Sequence, residues 1–242
     1  MGFTTIVLTF FLYGFTGWLL EVVYMLCEQR RFINRGFLAG PICPMYGVGM
    51  ALMSVLLAPL RENSVLLFLS VVLLTTGLEF FVGWLLELVF KTRWWDYSDR
   101  RFNLMGHVCL EFSLAWGVGA FLALKYVHPY AERLIASLPH TGHMALSSIL
   151  LAVLAADTAV SVTSALRLKN SMEKLQAMLT ASVPAALAEE LRRRRESLGE
   201  AAERMNGLVT RMQRRLLMAY PHAQSKRFAD ALNSVKKALR RR

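Results

Sequence analysis

Gly17-Trp18-Leu19-Leu20-Glu21-Val22-Val23-Tyr24 recurs as Gly83-Trp84-Leu85-Leu86-Glu87-Leu88-Val89-Phe90, 66 residues further along the chain. Each copy sets one carboxylate inside an apolar run. The register continues without a gap, with Arg35 falling on Arg101, Leu38 on Leu104, Gly40 on Gly106 and Cys43 on Cys109. A fixed offset that runs through an apolar helix, a polar loop and the next apolar stretch marks a duplicated structural unit. Membrane units duplicated in this way often place a shared site where the copies meet.

The rest of the chain agrees with a membrane setting. Its 242 residues are 55% hydrophobic and carry a net charge of +11. All of that excess lies after Leu166, so a neutral apolar body (residues 1–166) precedes a basic polar tail (residues 167–242). About 20 mainly apolar residues cross a bilayer core. Five stretches are that long: Thr4–Leu26, Pro41–Leu60, Val65–Phe90, Leu104–Val127 and Met144–Leu166. Runs of this length pair their backbone only as helices in lipid. The expected architecture is therefore an all-α, polytopic membrane helix bundle of about five transmembrane helices. Two tandem parallel two-helix repeats (about 4–60 and 65–127) are followed by one helix (about 144–166) and a cytoplasmic helical tail.

Basic residues set the orientation. Arg30, Arg31 and Arg35 follow the first span, Lys91, Arg93, Arg100 and Arg101 follow the third, and the tail follows the fifth. Arg61, Lys125 and Arg133 fall on the other side. The positive-inside bias then predicts an outer N-terminus and a cytoplasmic C-terminus. The segment Met1–Thr5 lacks the charged region of a cleavable leader, so the first run reads as a retained span. Three cysteines imply no disulfide framework.

Glu21, Glu79, Glu87, Glu111 and Asp157 all fall inside predicted spans. A charge at the bilayer centre costs about 2.5–3.5 kcal/mol on insertion scales, so each acid needs a partner, water or a proton. Glu79, Gly83 and Glu87 share one helix face, as do Tyr13, Gly17 and Glu21. Two readings stand side by side. In one, the acids and the flanking Trp18 and Trp84 line a polar cavity that takes a cation, a proton or a polar solute. In the other, loop residues Arg35 and Arg101, with Asn34 and Asn103, fold back as structural ion-pair partners. Asp157, on a small-residue surface, reads as a helix–helix hydrogen-bonding residue.

The loop Asn34-Arg35-Gly36-Phe37-Leu38-Ala39-Gly40-Pro41-Ile42-Cys43-Pro44 predicts a tight turn and an ordinary helix start with proline in the first turn. A broken, re-entrant segment is the alternative. Cys43 and Cys109 read as small packing residues; with His107 they match no zinc spacing, and neither metal nor cofactor is expected. Trp94-Trp95-Asp96-Tyr97 reads as an interfacial anchor. In the tail, Leu191, Leu198, Met205 and Met212 recur every seven residues beyond Pro184. That pattern predicts a helix that coils with a partner, folds back, or lies on lipid. Arg192, Arg193, Arg194 and Arg195 would meet anionic lipid or a partner protein. Nucleic-acid binding has no recognition fold behind it.

Together, Gly17-Trp18 with Glu21-Val22, the loop from Asn34 through Cys43-Pro44-x-Tyr46-Gly47, and Trp94-Trp95-Asp96-Tyr97-Ser98 resemble the bacterial membrane family labelled putative ABC-transporter permease, type IV, over roughly residues 7–120. The resemblance implies an inner-membrane permease that works with a separate ATPase. No phosphate-binding loop occurs in this chain, and five spans are few for a complete transporter, so a homo-oligomer or a partner membrane subunit is expected. No nucleophile–base pair points to an enzyme. The leading function is translocation of an ion or small polar solute through a carboxylate-lined site. The alternative is a non-transporting scaffold or sensor whose basic tail binds a partner or lipid.

Overall fold

The structure, a computed structural model, describes residues 2–181, 211–220 and 223–240. It is mostly helical. Among the described residues, four helical stretches are long and apolar enough to cross a membrane: Phe3–Glu28, Ser64–Phe90, Leu110–Ala136 and His140–Ala177. The first belongs to α1 (Phe3–Gln29) and the second is α3 (Ser64–Phe90). The third joins α4 (Leu110–Leu122) through a π turn (Ala123–Val127) to α5 (His128–Ala136), and the fourth lies in α6 (His140–Ala181).

The second predicted span departs from expectation. Its helix, α2 (Pro44–Leu56), has only 13 residues, about 20 Å at the α-helical rise against a hydrocarbon core of about 30 Å. The expected helix start with proline in its first turn is present at Pro44, but the stretch before it is an irregular segment alongside α1 and not one tight turn. The Cys43 N–H reaches the Gly14 carbonyl at 2.9 Å, halfway along α1, before any helix begins. Backbone at such depth must find its own partners. The Asn34 side chain accepts from the Gly36 N–H and donates to the Ala39 carbonyl. The Asp157 carboxylate accepts from the Ala39 and Gly40 N–H groups at 2.9 and 2.7 Å. Pro44 then opens α2 where a missing N–H costs nothing.

The duplication survives in the helix starts. Like α2, α4 has 13 residues and follows a cysteine in the cap position, Cys109 in place of Cys43. The preceding helices do not match. Glu87 lies four residues before Lys91, where α3 ends in a left-handed residue (φ 55°), whereas α1 runs on from Glu21 to Gln29. The loop after α3 is accordingly longer and contains a short antiparallel hairpin, β1 (Asn103–Leu104) with β2 (Val108–Cys109).

The chain forms two compact units. The first comprises Met1–Leu85 with Asp96–Ala159. Its core includes Tyr13, Met50, Met53, Leu57, Leu67, Val71 and Leu124, and glycines let its helices approach closely. A Cβ on Gly17 would lie 2.2 Å from the Tyr46 ring, and one on Gly47 would lie 2.4 Å from the Phe10 carbonyl oxygen.

The second unit comprises Leu86–Trp95 and the chain from Val160 onward. Here α7 (Arg211–Ala219) and α8 (Ala229–Arg240) pack on the later part of α6. Leu168, Met172 and Leu175 meet Leu217, Phe228, Leu232 and Val235. The described part of the tail therefore folds back on α6. Residues Leu191 to Met205, with Arg192, Arg193, Arg194 and Arg195, lie outside the described residues. Trp94 corrects the anchor reading: it is only 8% exposed, edge-on to Phe90 and Tyr220. Phe228→Ala should cost about 3–5 kcal/mol, the range for a buried aromatic. Hydrogen exchange should accelerate in α7 and α8 and stay unchanged in α2.

Candidate functional site

Glu21 lies on the α1 face that also carries Gly17. The absence of a side chain at Gly17 admits the Tyr46 ring, whose hydroxyl donates to Glu21 Oε1 at 2.9 Å. Arg35 donates to Glu21 Oε2 at 3.1 Å, and its guanidinium also lies over the Tyr24 ring. Asn34 forms no ion-pair contact. Its Oδ1 takes the Trp18 indole N–H at 3.0 Å, so Trp18 and Asn34 together clamp the loop that delivers Arg35.

Glu79 is the most buried of the acids, at 7% exposure. Its partner is the Tyr97 hydroxyl, which donates at 3.3 Å. Among the described residues no cation pairs with it. Burial pushes the Tyr97 phenol well above the usual tyrosine range, the nearby Glu79 carboxylate adds to this, and the Arg35 charge opposes it. Tyr97 thus remains a donor at physiological pH, and Arg35 lies close enough to be felt by both phenol–carboxylate pairs.

One face of α4 joins these pairs. Phe112 stacks on Tyr97 with ring centroids 4.9 Å apart, and Trp116, one turn later, meets the Tyr46 ring edge-on at 5.9 Å. The resulting cluster contains two carboxylates, one guanidinium and two phenols. With both acids ionised it carries one uncompensated negative charge. That balance favours a cation, a proton or a solute with a positive group.

The other sequence candidates make separate contacts. Glu87 belongs to the second unit and accepts from Arg93 Nε at 2.8 Å. Arg101, equivalent to Arg35 in the repeat, makes no ion pair among the described residues and lies over Phe102. Glu111 is 67% exposed in its side chain and sits 3.5 Å from Arg100. Asn103 donates to the carbonyls of Ser98 and Arg100 and accepts from Gly106 N–H, which fixes the hairpin. Trp84 is exposed on α3 beside Phe81. No three His, Cys, Asp or Glu side chains gather as metal ligands among the described residues.

Neither Tyr46 nor Tyr97 stands out in the sequence as a binding residue. Their signal is faint: a phenol two residues after the helix-opening Pro44, and another in an aromatic run that reads as an anchor.

Residues 8–162 match the model of the family described as "Putative ABC-transporter type IV". The match covers well over half of the chain, which belongs to that family. No curated protein and no solved structure matches.

Proposed function

We propose that this member of the family is a permease subunit that moves an ion or small polar solute through the site built by Glu21, Arg35, Tyr46, Glu79 and Tyr97. The observation that carries this reading is Glu79, a buried acid in a predicted span with a phenol for partner and, among the described residues, no cation paired with it. Ionisable groups held so deep are costly and mark translocation paths. The irregular segment 36–43 supports the same reading, since unwound backbone in membrane proteins lines polar cavities.

In this reading residues 1–166 form the transmembrane domain of a bacterial inner-membrane protein with an outer N-terminus. Residues 167–242 form its cytoplasmic tail. The working transporter contains a second copy or another membrane subunit, and a separate ATPase supplies energy. The scaffold or sensor reading draws on one observation, the independent core of the second unit. In that case a variant ending at Leu166 would lose function and acid substitutions would act only through stability.

Tracer equilibration of sodium, rubidium and choline down their gradients into reconstituted vesicles, which needs the path but not the ATPase, decides between them. Wild-type vesicles should take up at least one of these cations above protein-free vesicles, and Glu79→Gln should cut uptake at least tenfold with its thermal transition retained. Wild-type uptake by folded Glu79→Gln, or no uptake by the wild type, would overturn the permease reading.

A further inference from the structure

The charge balance of the two carboxylate–phenol pairs admits several kinds of positive substrate, and the atoms around the acids separate them. Both oxygens of Glu21 are engaged, Oε1 by the Tyr46 hydroxyl at 2.9 Å and Oε2 by Arg35 at 3.1 Å. Glu79, only 7% exposed, is engaged on one side. Its Oε1 takes the Tyr97 hydroxyl, and its second oxygen takes no hydrogen bond among the described residues. The surplus negative charge therefore resides at Glu79.

A metal cation is poorly served by this arrangement. Hard cations shed their water only for a shell of about six oxygen ligands or more. Glu79 offers one unengaged oxygen, and no three His, Cys, Asp or Glu side chains gather as ligands among the described residues. The surroundings are aromatic instead. Tyr97 stacks on Phe112 at 4.9 Å, and Tyr46 meets Trp116 edge-on, with the rings 88° apart. A stacked pair leaves the outer face of each ring open to other partners, and an edge-on pair covers one face of one ring. Trp116 is 41% exposed, so packing does not seal this wall.

Rings in this neighbourhood already hold cations. The Arg35 guanidinium lies 5.7 Å from the Tyr24 ring centre, and that of Arg100 lies 5.8 Å from the Phe112 ring centre. Phe112 thus has two partners, Tyr97 and Arg100, which leaves Tyr97, Tyr46 and Trp116 to meet a ligand. An alkylated ammonium ion matches this set. Its charge is spread over methyl groups and weakly hydrated, so it needs no oxygen shell. It is drawn to ring faces within about 6 Å of the centroid, most strongly to tryptophan. The Glu79 carboxylate supplies the counter-charge, one for one. A proton would make no use of the rings.

We propose that the substrate class is a small, singly charged organic cation with an alkylated ammonium group, held by Glu79 and the rings of Tyr97, Tyr46 and Trp116. The inference rests on the permease reading and narrows it. Arg35, by neutralising Glu21, limits the site to one positive charge. Phe112 and Trp116 stand four residues apart on α4, a rise of about 6 Å along one helix face. That face therefore brings both phenol rings to the same substrate.

Selectivity in the same reconstituted vesicles tests it. The wild-type protein should admit labelled choline down its gradient at least tenfold faster than sodium or rubidium at equal concentration. Excess unlabelled tetramethylammonium should block choline entry, and an equal excess of sodium should not. Trp116→Leu removes a ring but keeps an apolar side chain, and should raise the half-blocking tetramethylammonium concentration about tenfold. Trp116→Phe should restore most of it. A merely structural Trp116 would instead slow all entry and leave that concentration unchanged. If Trp116→Leu does not fold, the wild-type selectivity decides the matter. Sodium or rubidium entering as fast as choline would overturn the proposal and leave the permease reading standing. So would an unchanged half-blocking concentration in folded Trp116→Leu. Entry of none of the three cations would overturn both.

Discussion

Gly47→Leu should prevent stable assembly of α1 with α2, at a cost of about 3 kcal/mol or more. Overpacking a core usually costs about 1–3 kcal/mol because side chains give way. At Gly47 the first added atom would meet the Phe10 carbonyl oxygen at 2.4 Å and the Phe10 ring at 2.7 Å. The carbonyl belongs to the α1 backbone and has no rotamer to change, so the helices must separate. Separation would also draw Tyr46 away from Glu21, because Gly17 and Gly47 sit on the two sides of one helix contact. Cation uptake and the thermal transition in detergent should therefore fall together. Gly119→Leu is the matched control: a Cβ there meets nothing within 4 Å, and the change should stay within about 0.5 kcal/mol. Equal losses at both positions would mean that α1 and α2 do not pack as described.

The same contact shows what a sequence can reveal. Long apolar runs announce α1, α3 and α6 because lipid demands continuous helices of a set length. The repeat announces that α2 and α4 begin at equivalent cysteines, since both starts follow from the same local residues. It misleads at the ion pairs. Register places Arg101 beside Glu87 as Arg35 stands beside Glu21, yet Glu87 takes Arg93. The cause is local: α3 stops at Phe90, and the chain turning at Lys91 brings Arg93 back within reach of an acid one turn up the helix. In α1 the equivalent position, Cys27, is still helical. The site itself is harder to read, because its members are held by partners distant in sequence. Tyr97 meets Glu79 across 18 residues and Tyr46 meets Glu21 across 25.

Asp157 gives the sharpest contrast between the two levels, and substituting it should have the second large effect. On the sequence it is an isolated acid among alanines, best read as bonding a neighbouring helix. In the structure it receives two backbone N–H groups of the irregular segment, 118 and 117 residues away, at 2.9 and 2.7 Å. Hydrogen bonds to a charged acceptor contribute about 1.5–3 kcal/mol each, and unpaired backbone donors in lipid are costlier than in water. Asp157→Ala should therefore destabilise the first unit by about 2–4 kcal/mol. Asp157→Asn keeps the shape but offers one acceptor oxygen, and its amide donors would face an N–H, so it should recover less than half of the loss. A helix–helix hydrogen-bonding role would instead make asparagine nearly neutral. Hydrogen exchange separates the two, because the Ala39 and Gly40 amides should lose protection in both variants while α6 keeps its own. The loop freed by this change is the one that holds Arg35 on Glu21 through Asn34 and Trp18. Cation uptake should then fall in both variants although Asp157 belongs to neither carboxylate–phenol pair, which would make it a positioning residue for the site.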